Sequence, residues 1–381
     1  MDLAELRRIN TIIERDKADA TYKYALLRAV IEICQKHRHL GEIDAETGRL
    51  RFPLGLLVEK WILYYYPLIE SERFIPQKSG EPYGKHALAF RPQFTALTEY
   101  YRNRGGYSVF YHEYVTGTMP AGAQQRFLDL AKALKTTITS MPMKYLGYSQ
   151  SHEYYTVFTP DRPRKPFPRG VAADRSLFIR SGGTFTLSRD LATVFEHFGT
   201  FISGEEGVLK KWAEFTVQVD RTGELTEAQI LELLTRTPET ERAVLDARKV
   251  YDTALREYGA LDCVWTGKSI TAPDRMHVDH LLPFSIWKNN DLWNLLPAYD
   301  AVNAQKKACI PSPSLIETRE SAIMGYWDRL HEVFPVRFER EISASLAGPE
   351  AGEGWMEEAF SRLVGTSEYL IDVRGYEAWE I

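Results

Sequence analysis

The chain has 381 residues, more than one compact core normally holds, so two or three domains are expected. Its composition is 44% hydrophobic, 26% charged and 12% aromatic, which excludes a disordered chain, a collagen-like repeat or a coiled-coil rod. A formal net charge of -5 excludes a polycation held to nucleic acid by bulk electrostatics; any such contact must come from local basic patches, a metal ion or a partner.

The first residues, Met1-Asp2-Leu3-Ala4-Glu5-Leu6, are charged from the second onward and do not read as a signal peptide. Leu3, Leu6, Ile9 and Ile13 recur at helical spacing, as do Tyr24, Leu27, Val30, Ile31 and Cys34. His37 and His39 fall at a Lys/Arg-flanked helix end, where cationic side chains suit the macrodipole; this reading is preferred over a metal site. A third helix is predicted from Pro53, a good first-turn residue, to about Tyr66. Leu54 to Tyr66 is the most apolar stretch, but Glu59-Lys60 interrupts it and Pro67 ends it, so no membrane span is expected. Two more helices are predicted near Pro92–Asn103 and Ala123–Thr139, with Tyr107–Val115 ambiguous.

The Pro- and Arg-rich run from Thr159 to Arg169 reads as a linker or extended loop, in which Arg162, Arg164, Lys165 and Arg169 are candidates for phosphate contact. Ser176–Arg180 and Thr184–Leu187 flank Ser181-Gly182-Gly183, a hairpin signal. Ser188 can cap the next helix, and Gly199 falls where that helix should stop. A helical stretch from about Thr226 to Tyr258 leads into the segment that carries the chemistry, and Ser314–Val333 is helical again. Ala347–Gly354 reads as a flexible break. No Gly-rich phosphate loop is present, so nucleotide chemistry has no support. Cys34, Cys263 and Cys309 form no C-x-x-C pair, which argues for a reducing cytoplasm and against a four-cysteine zinc knuckle.

Phosphodiester hydrolysis needs a group that takes a proton from water and a cation that offsets charge on the phosphorane and the leaving oxygen. Between Cys263 and Lys307 the chain reads Met276-His-Val-Asp-His-Leu-Leu-Pro283, then Leu292-Trp-Asn-Leu-Leu-Pro297, then Val302-Asn-Ala-Gln-Lys-Lys307. If Met276–Leu281 is a strand, Asp279 reaches a metal only where the strand ends or bends, and Pro283 makes such an ending expected. Asn303 and Lys306 share one face of a short helix beginning near Ala298. Two short strands or loops and a helix would then bring together a carboxylate, an imidazole, two amides and a lysine.

This pattern, Asp279-His280, Asn294 and Asn303-x-x-Lys306, resembles the HNH (ββα-metal) endonuclease family. It is most similar to the version with asparagine at the third position, found in type II CRISPR nucleases and restriction-type enzymes. The resemblance covers about an eighth of the chain. It implies His280 as general base, Asp279 and Asn303 as ligands of one Mg²⁺ (or Mn²⁺), and Asn294 as the residue that pins the loop behind the imidazole. Lys306 would be a clamp on the phosphate; Lys307 and Lys288 are read as DNA contacts or as solvated surface. The products would be 5′-phosphate and 3′-hydroxyl ends. The two C-x-x-C pairs of many relatives are missing, so no structural zinc is expected, and Trp265, Phe284, Ile286, Trp287 and Trp293 are left to hold the motif by packing.

The expected fold is α+β: a mainly helical chain with small β elements and an embedded ββα-metal nuclease domain. The expected division is a helical region 1–150, an α+β middle region 151–255, the nuclease domain 256–312 and a helical C-terminal region 313–381. The expected function is a cytoplasmic DNA endonuclease of bacterial restriction or anti-phage defence, acting on DNA rather than RNA, alone, as a homo-oligomer or with a partner subunit. The rivals are a subunit that cuts only inside a complex, a non-catalytic binding module, and an exported nuclease toxin, for which a delivery region and a basic tail would be expected and neither is seen in the sequence. Residues 262–311 carry five Lys/Arg against five Asp, so affinity for nucleic acid must draw on the rest of the chain, such as Arg102-Asn103-Arg104 or the basic proline-rich loop.

Overall fold

The computed structural model describes all residues except 1–2, 16–17, 82–86, 162–164, 169, 205–206, 239–240 and 347–353. The architecture is α+β, 64% helix with small strands. The chain forms two compact units, Met1–Pro238 and Glu239–Ile381. No described helix is long and apolar enough to cross a membrane.

The first unit is built around the Leu54–Glu70 helix, which is buried along most of its length, with Glu59 paired to Arg175 and Lys60 to Glu32. Pro53 caps it in an extended conformation, and it runs on through Pro67, past the predicted end. Its Tyr65 lies 5.0 Å from Phe90 and 5.1 Å from Trp212, so aromatic packing anchors its middle. The ambiguous segment is helical, Gly106–Thr116, and stops at Gly117 in the left-handed conformation that glycine adopts without strain.

Ser176–Arg180 is not a hairpin arm: the Asp174 carboxylate accepts from Leu177 N at 3.0 Å and nucleates the Arg175–Ile179 helix. The Thr184–Leu187 strand pairs instead with Leu50–Pro53 and Thr159–Pro160, and Glu42–Ile43 completes an antiparallel four-stranded sheet. Gly199 does not end its helix, which Ser188 caps and which continues to Ser203. A Cβ there would stand 2.5 Å from Ile31 Cγ2, so this glycine lets two helices approach closely. The stretch from Thr226 is two helices, Glu227–Thr235 and Glu241–Tyr258, the first begun by a Thr226/Gln229 capping box. Pro238 lies between them. Arg162, Arg164, Arg169 and most of 347–354 lie outside the described residues.

In the second unit, Glu241–Tyr258 packs across a two-stranded antiparallel sheet of Met276–His280 and Leu295–Tyr299. Tyr251 from that helix donates to Leu295 O at 2.7 Å. Trp265, Trp293 and Trp327 are fully buried, and Trp327 Nε1 donates to Trp293 O at 2.8 Å. The Asp300–Lys306 helix packs on the same two strands. The predicted Ser314–Val333 helix is two helices, Pro313–Thr318 and Glu320–Val333. Farther on, Ala378–Trp379 adds in parallel to Ile310–Pro311, so a distant segment closes over the end of the site region.

Candidate active site

Asp279 and His280 are the last two residues of the Met276–His280 strand, opposite Leu296 and Leu295. The strand ends there because Leu281 turns its N–H to Asn294 O at 2.8 Å and Pro283 follows. Asp279 is only 4% exposed. Its Oδ2 accepts from Trp265 Nε1 at 2.7 Å and its Oδ1 from Lys306 Nζ at 3.1 Å. Each carboxylate oxygen carries two lone pairs, so both retain acceptor capacity after these bonds.

His280 is half-buried, and its Nε2 hydrogen-bonds Asn290 Oδ1. In the tautomer that donates from Nε2 to this amide oxygen, the Nδ1 lone pair is left available. Burial pushes this imidazole below its usual range and Lys306 reinforces the shift, against the Asn290 bond and the Asp279 charge. Burial thus favours the neutral, basic form of the ring.

Asn294 is fully buried and clamps one residue from both sides. Its Oδ1 accepts from Leu282 N at 2.7 Å and its Nδ2 donates to Leu282 O at 3.0 Å. The loop that leaves His280 is thus fixed to the loop that precedes the second strand. Asn303 lies one helical turn before Lys306 on the Asp300–Lys306 helix, half-buried, with no side-chain hydrogen bond to a described residue. Lys306 is 1% exposed and also donates to His280 O, so it lies beneath the carboxylate rather than on the surface where a phosphate would arrive. Burial lowers its pKa, opposed by Asp279. Lys288 and Lys307 are exposed, and both adopt positive φ (62° and 53°), rare for residues with a Cβ.

Sequence reasoning missed Asn290 altogether and saw Trp265 only as packing. The polar run Asn289-Asn290-Asp291 between apolar segments was the available signal for the first. Nothing in the sequence marks the indole N–H as a carboxylate partner.

Residues 263–312 match a family described as HNH endonuclease, which implies nuclease activity and nucleic-acid binding for this segment. Residues 2–234, more than half of the chain, match the family described as a domain of unknown function, DUF8808. The chain belongs to the DUF8808 family. No curated protein and no solved structure matches it.

HNH endonucleases typically use divalent metal ions. In this DUF8808 chain no three His, Cys, Asp or Glu side chains gather at a point among the described residues. Asp279 at the strand end and Asn303 on the adjoining helix both carry hard oxygen. That suits Mg²⁺ or Mn²⁺, which keep several waters, rather than a caged soft metal.

Proposed function

We propose that this chain is a divalent-metal-dependent HNH endonuclease that hydrolyses DNA phosphodiester bonds to 5′-phosphate and 3′-hydroxyl ends. The observation that carries the reading is the placement of Asp279 and His280 at one strand end, with Asn303 on the helix whose Lys306 reaches Asp279. In this reading the site is the third-position asparagine variant, similar to that of type II CRISPR nucleases and restriction-type enzymes. The nuclease domain, 256–312, is flanked by the middle region 151–255 and the helical region 313–381, with a helical region 1–150 ahead of them.

Asp279 and Asn303 hold the cation, Mg²⁺ or Mn²⁺, which when bound offsets charge on the phosphate and the leaving oxygen. His280 Nδ1 takes the proton from the attacking water, and Asn290 on Nε2 holds the ring in that tautomer. Asn294 positions the imidazole by fixing Leu282. Lys306 counterbalances Asp279 from below, and the exposed Lys288 and Lys307 contact the DNA backbone.

The setting we propose is cytoplasmic restriction or anti-phage defence, with the DUF8808 region selecting the target or trigger. A second reading, a nuclease that cuts only with a partner or trigger bound, is favoured by the buried setting of Asp279, whose two oxygens already accept one hydrogen bond each, from Trp265 and from Lys306. The test is incubation of the pure chain with plasmid, linear DNA and RNA in Mg²⁺, Mn²⁺ or EDTA, beside His280→Ala and Asn303→Ala. Metal-dependent DNA cutting lost in both variants is expected. Cutting that survives His280→Ala removes the mechanism, and no cutting under any condition favours the partner-dependent reading or a non-catalytic module.

A further inference from the structure

We infer that Tyr145, Tyr148 and Tyr154 in the DUF8808 region form a stacking platform for unpaired nucleobases, flanked by the cations that hold the adjoining phosphates. The inference rests in part on the nuclease reading, because it assigns the chain a second contact with the same class of polymer. Among the described residues four tyrosines are exposed, and three of them meet here. Tyr148 and Tyr154 stack at 5.0 Å with their planes 14° apart, and Tyr145 stands edge-on to Tyr154 at 5.5 Å. Their exposures of 43%, 37% and 53% leave large aromatic surfaces in water. The structure therefore keeps in solvent a group that burial would stabilise.

The backbone is shaped to present these rings. Gly147, at φ 79°, has room for no Cβ, which would stand 2.9 Å from Thr156 Oγ1. His152 and Tyr155, at φ 56° and 59°, bracket Glu153-Tyr154 in a conformation that side chains with a Cβ rarely adopt. Tyr155 is held there by its N–H to Lys144 O and its hydroxyl to Thr139 O, both at 3.1 Å. Strain of this kind persists where surrounding contacts over-determine it.

Charge decides the occupant. Lys144 Nζ lies 4.7 Å from the Tyr154 ring centroid and 5.1 Å from that of Tyr145. Arg8 and Arg49 donate to Thr156 O and Val157 O, both at 2.9 Å, just beyond the platform. Glu5 pairs with Arg8, and Glu153 is the acid within the exposed loop. Aromatic faces beside cations suit the alternating bases and phosphates of a single strand. The nuclease segment, with five Lys/Arg against five Asp, has no net charge to supply this affinity.

The test uses the full chain carrying His280→Ala, in EDTA, so that binding is read without cleavage. Fluorescence anisotropy compares a labelled single-stranded DNA 20-mer, the same strand with abasic sites, and a duplex. The intact strand should bind best, and abasic substitution should weaken it. Tyr148→Ala and Tyr154→Ala should each weaken binding roughly 5- to 150-fold, with Tyr→Phe retaining it. Lys144→Ala should reduce the salt slope by about one. Equal binding of intact and abasic strands, no binding of the single strand, or indifference to the tyrosine variants overturns the platform and points to a protein partner for these rings. Because the parent's cleavage is measured separately, loss of the nuclease reading leaves this result intact, and the reverse holds.

Discussion

The indole Nε1 of Trp265 donates a 2.7 Å hydrogen bond to Oδ2 of Asp279, both buried. Trp265 is itself held edge to face by Trp379, at 5.4 Å and 88°, on the added Ala378–Trp379 strand. An outer partner of this kind fixes the carboxylate's orientation before any ion arrives. Trp265→Phe should keep most of the packing and lose the bond, at a cost of about 1.5–3 kcal/mol for a hydrogen bond to a charged group. Mn²⁺ affinity, read by electron paramagnetic resonance, should fall about 10- to 100-fold. An unchanged Mn²⁺ titration would show that the indole only fills space.

The Lys306–Asp279 pair makes a second prediction. Both members are almost fully buried, so removing the ammonium leaves an uncompensated carboxylate, an effect of about 3–5 kcal/mol. Lys306→Met should therefore lower the urea midpoint strongly in EDTA, and Mg²⁺ should restore part of the loss by supplying charge to Asp279. A variant as stable as the parent, or one that Mg²⁺ leaves unmoved, is the outcome that sinks this account.

Asn294 should act on rate rather than on binding. Its amide satisfies both backbone groups of Leu282, and Asn294→Ala orphans them at about 1–3 kcal/mol each. The loop behind His280 then loosens, so kcat should fall while KM for DNA stays near the parental value. A rise in KM with kcat unchanged would instead put Asn294 on the substrate.

What the sequence made legible follows from how local each signal is. The placement of Asp279 and His280 at a strand end, of Asn294 ahead of the second strand and of Asn303 on a short helix was readable because it follows from short, fixed spacings. Asn290 and Trp265 were not, because their roles depend on which loop folds over which strand. Lys306 was placed on the correct helix face, but only packing reveals that this face is buried. The hairpin expected around Gly182 fails for the same reason: the Thr184–Leu187 strand finds its partner more than a hundred residues earlier, at Leu50–Pro53.

Gly199 shows the same limit and can be tested directly. Taken from sequence as a stop signal, it sits inside a helix with Ile31 Cγ2 and Gln35 Nε2 2.5 and 2.6 Å from where a Cβ would stand. On helix propensity alone Gly199→Ala should stabilise by about 1 kcal/mol. Overpacking should win and destabilise by about 1–3 kcal/mol. A raised melting temperature for Gly199→Ala would mean that the two helices yield freely.

The last prediction concerns pH and Glu341, which is fully buried under the loop that precedes Asn294. Its Oε2 accepts from Leu292 N at 2.6 Å and its Oε1 from Arg337 Nε at 2.7 Å, while Arg337 also pairs with Asp246. Burial raises its pKa from 4.5 to about 7, and the nearby Asp291 adds to the rise against the pull of Arg337. The folded state therefore binds the Glu341 proton more tightly than the unfolded chain does. Its stabilising contribution is complete below about pH 4.5 and is lost as pH climbs through about 7, a swing of about 3 kcal/mol. Glu341→Gln keeps an acceptor for Leu292 N and cannot titrate, so its stability between pH 5 and 7.5 should vary less than the parent's. Urea midpoints taken across that range decide the matter: parallel curves for parent and variant would mean that the carboxylate is already ionised throughout, held so by Arg337.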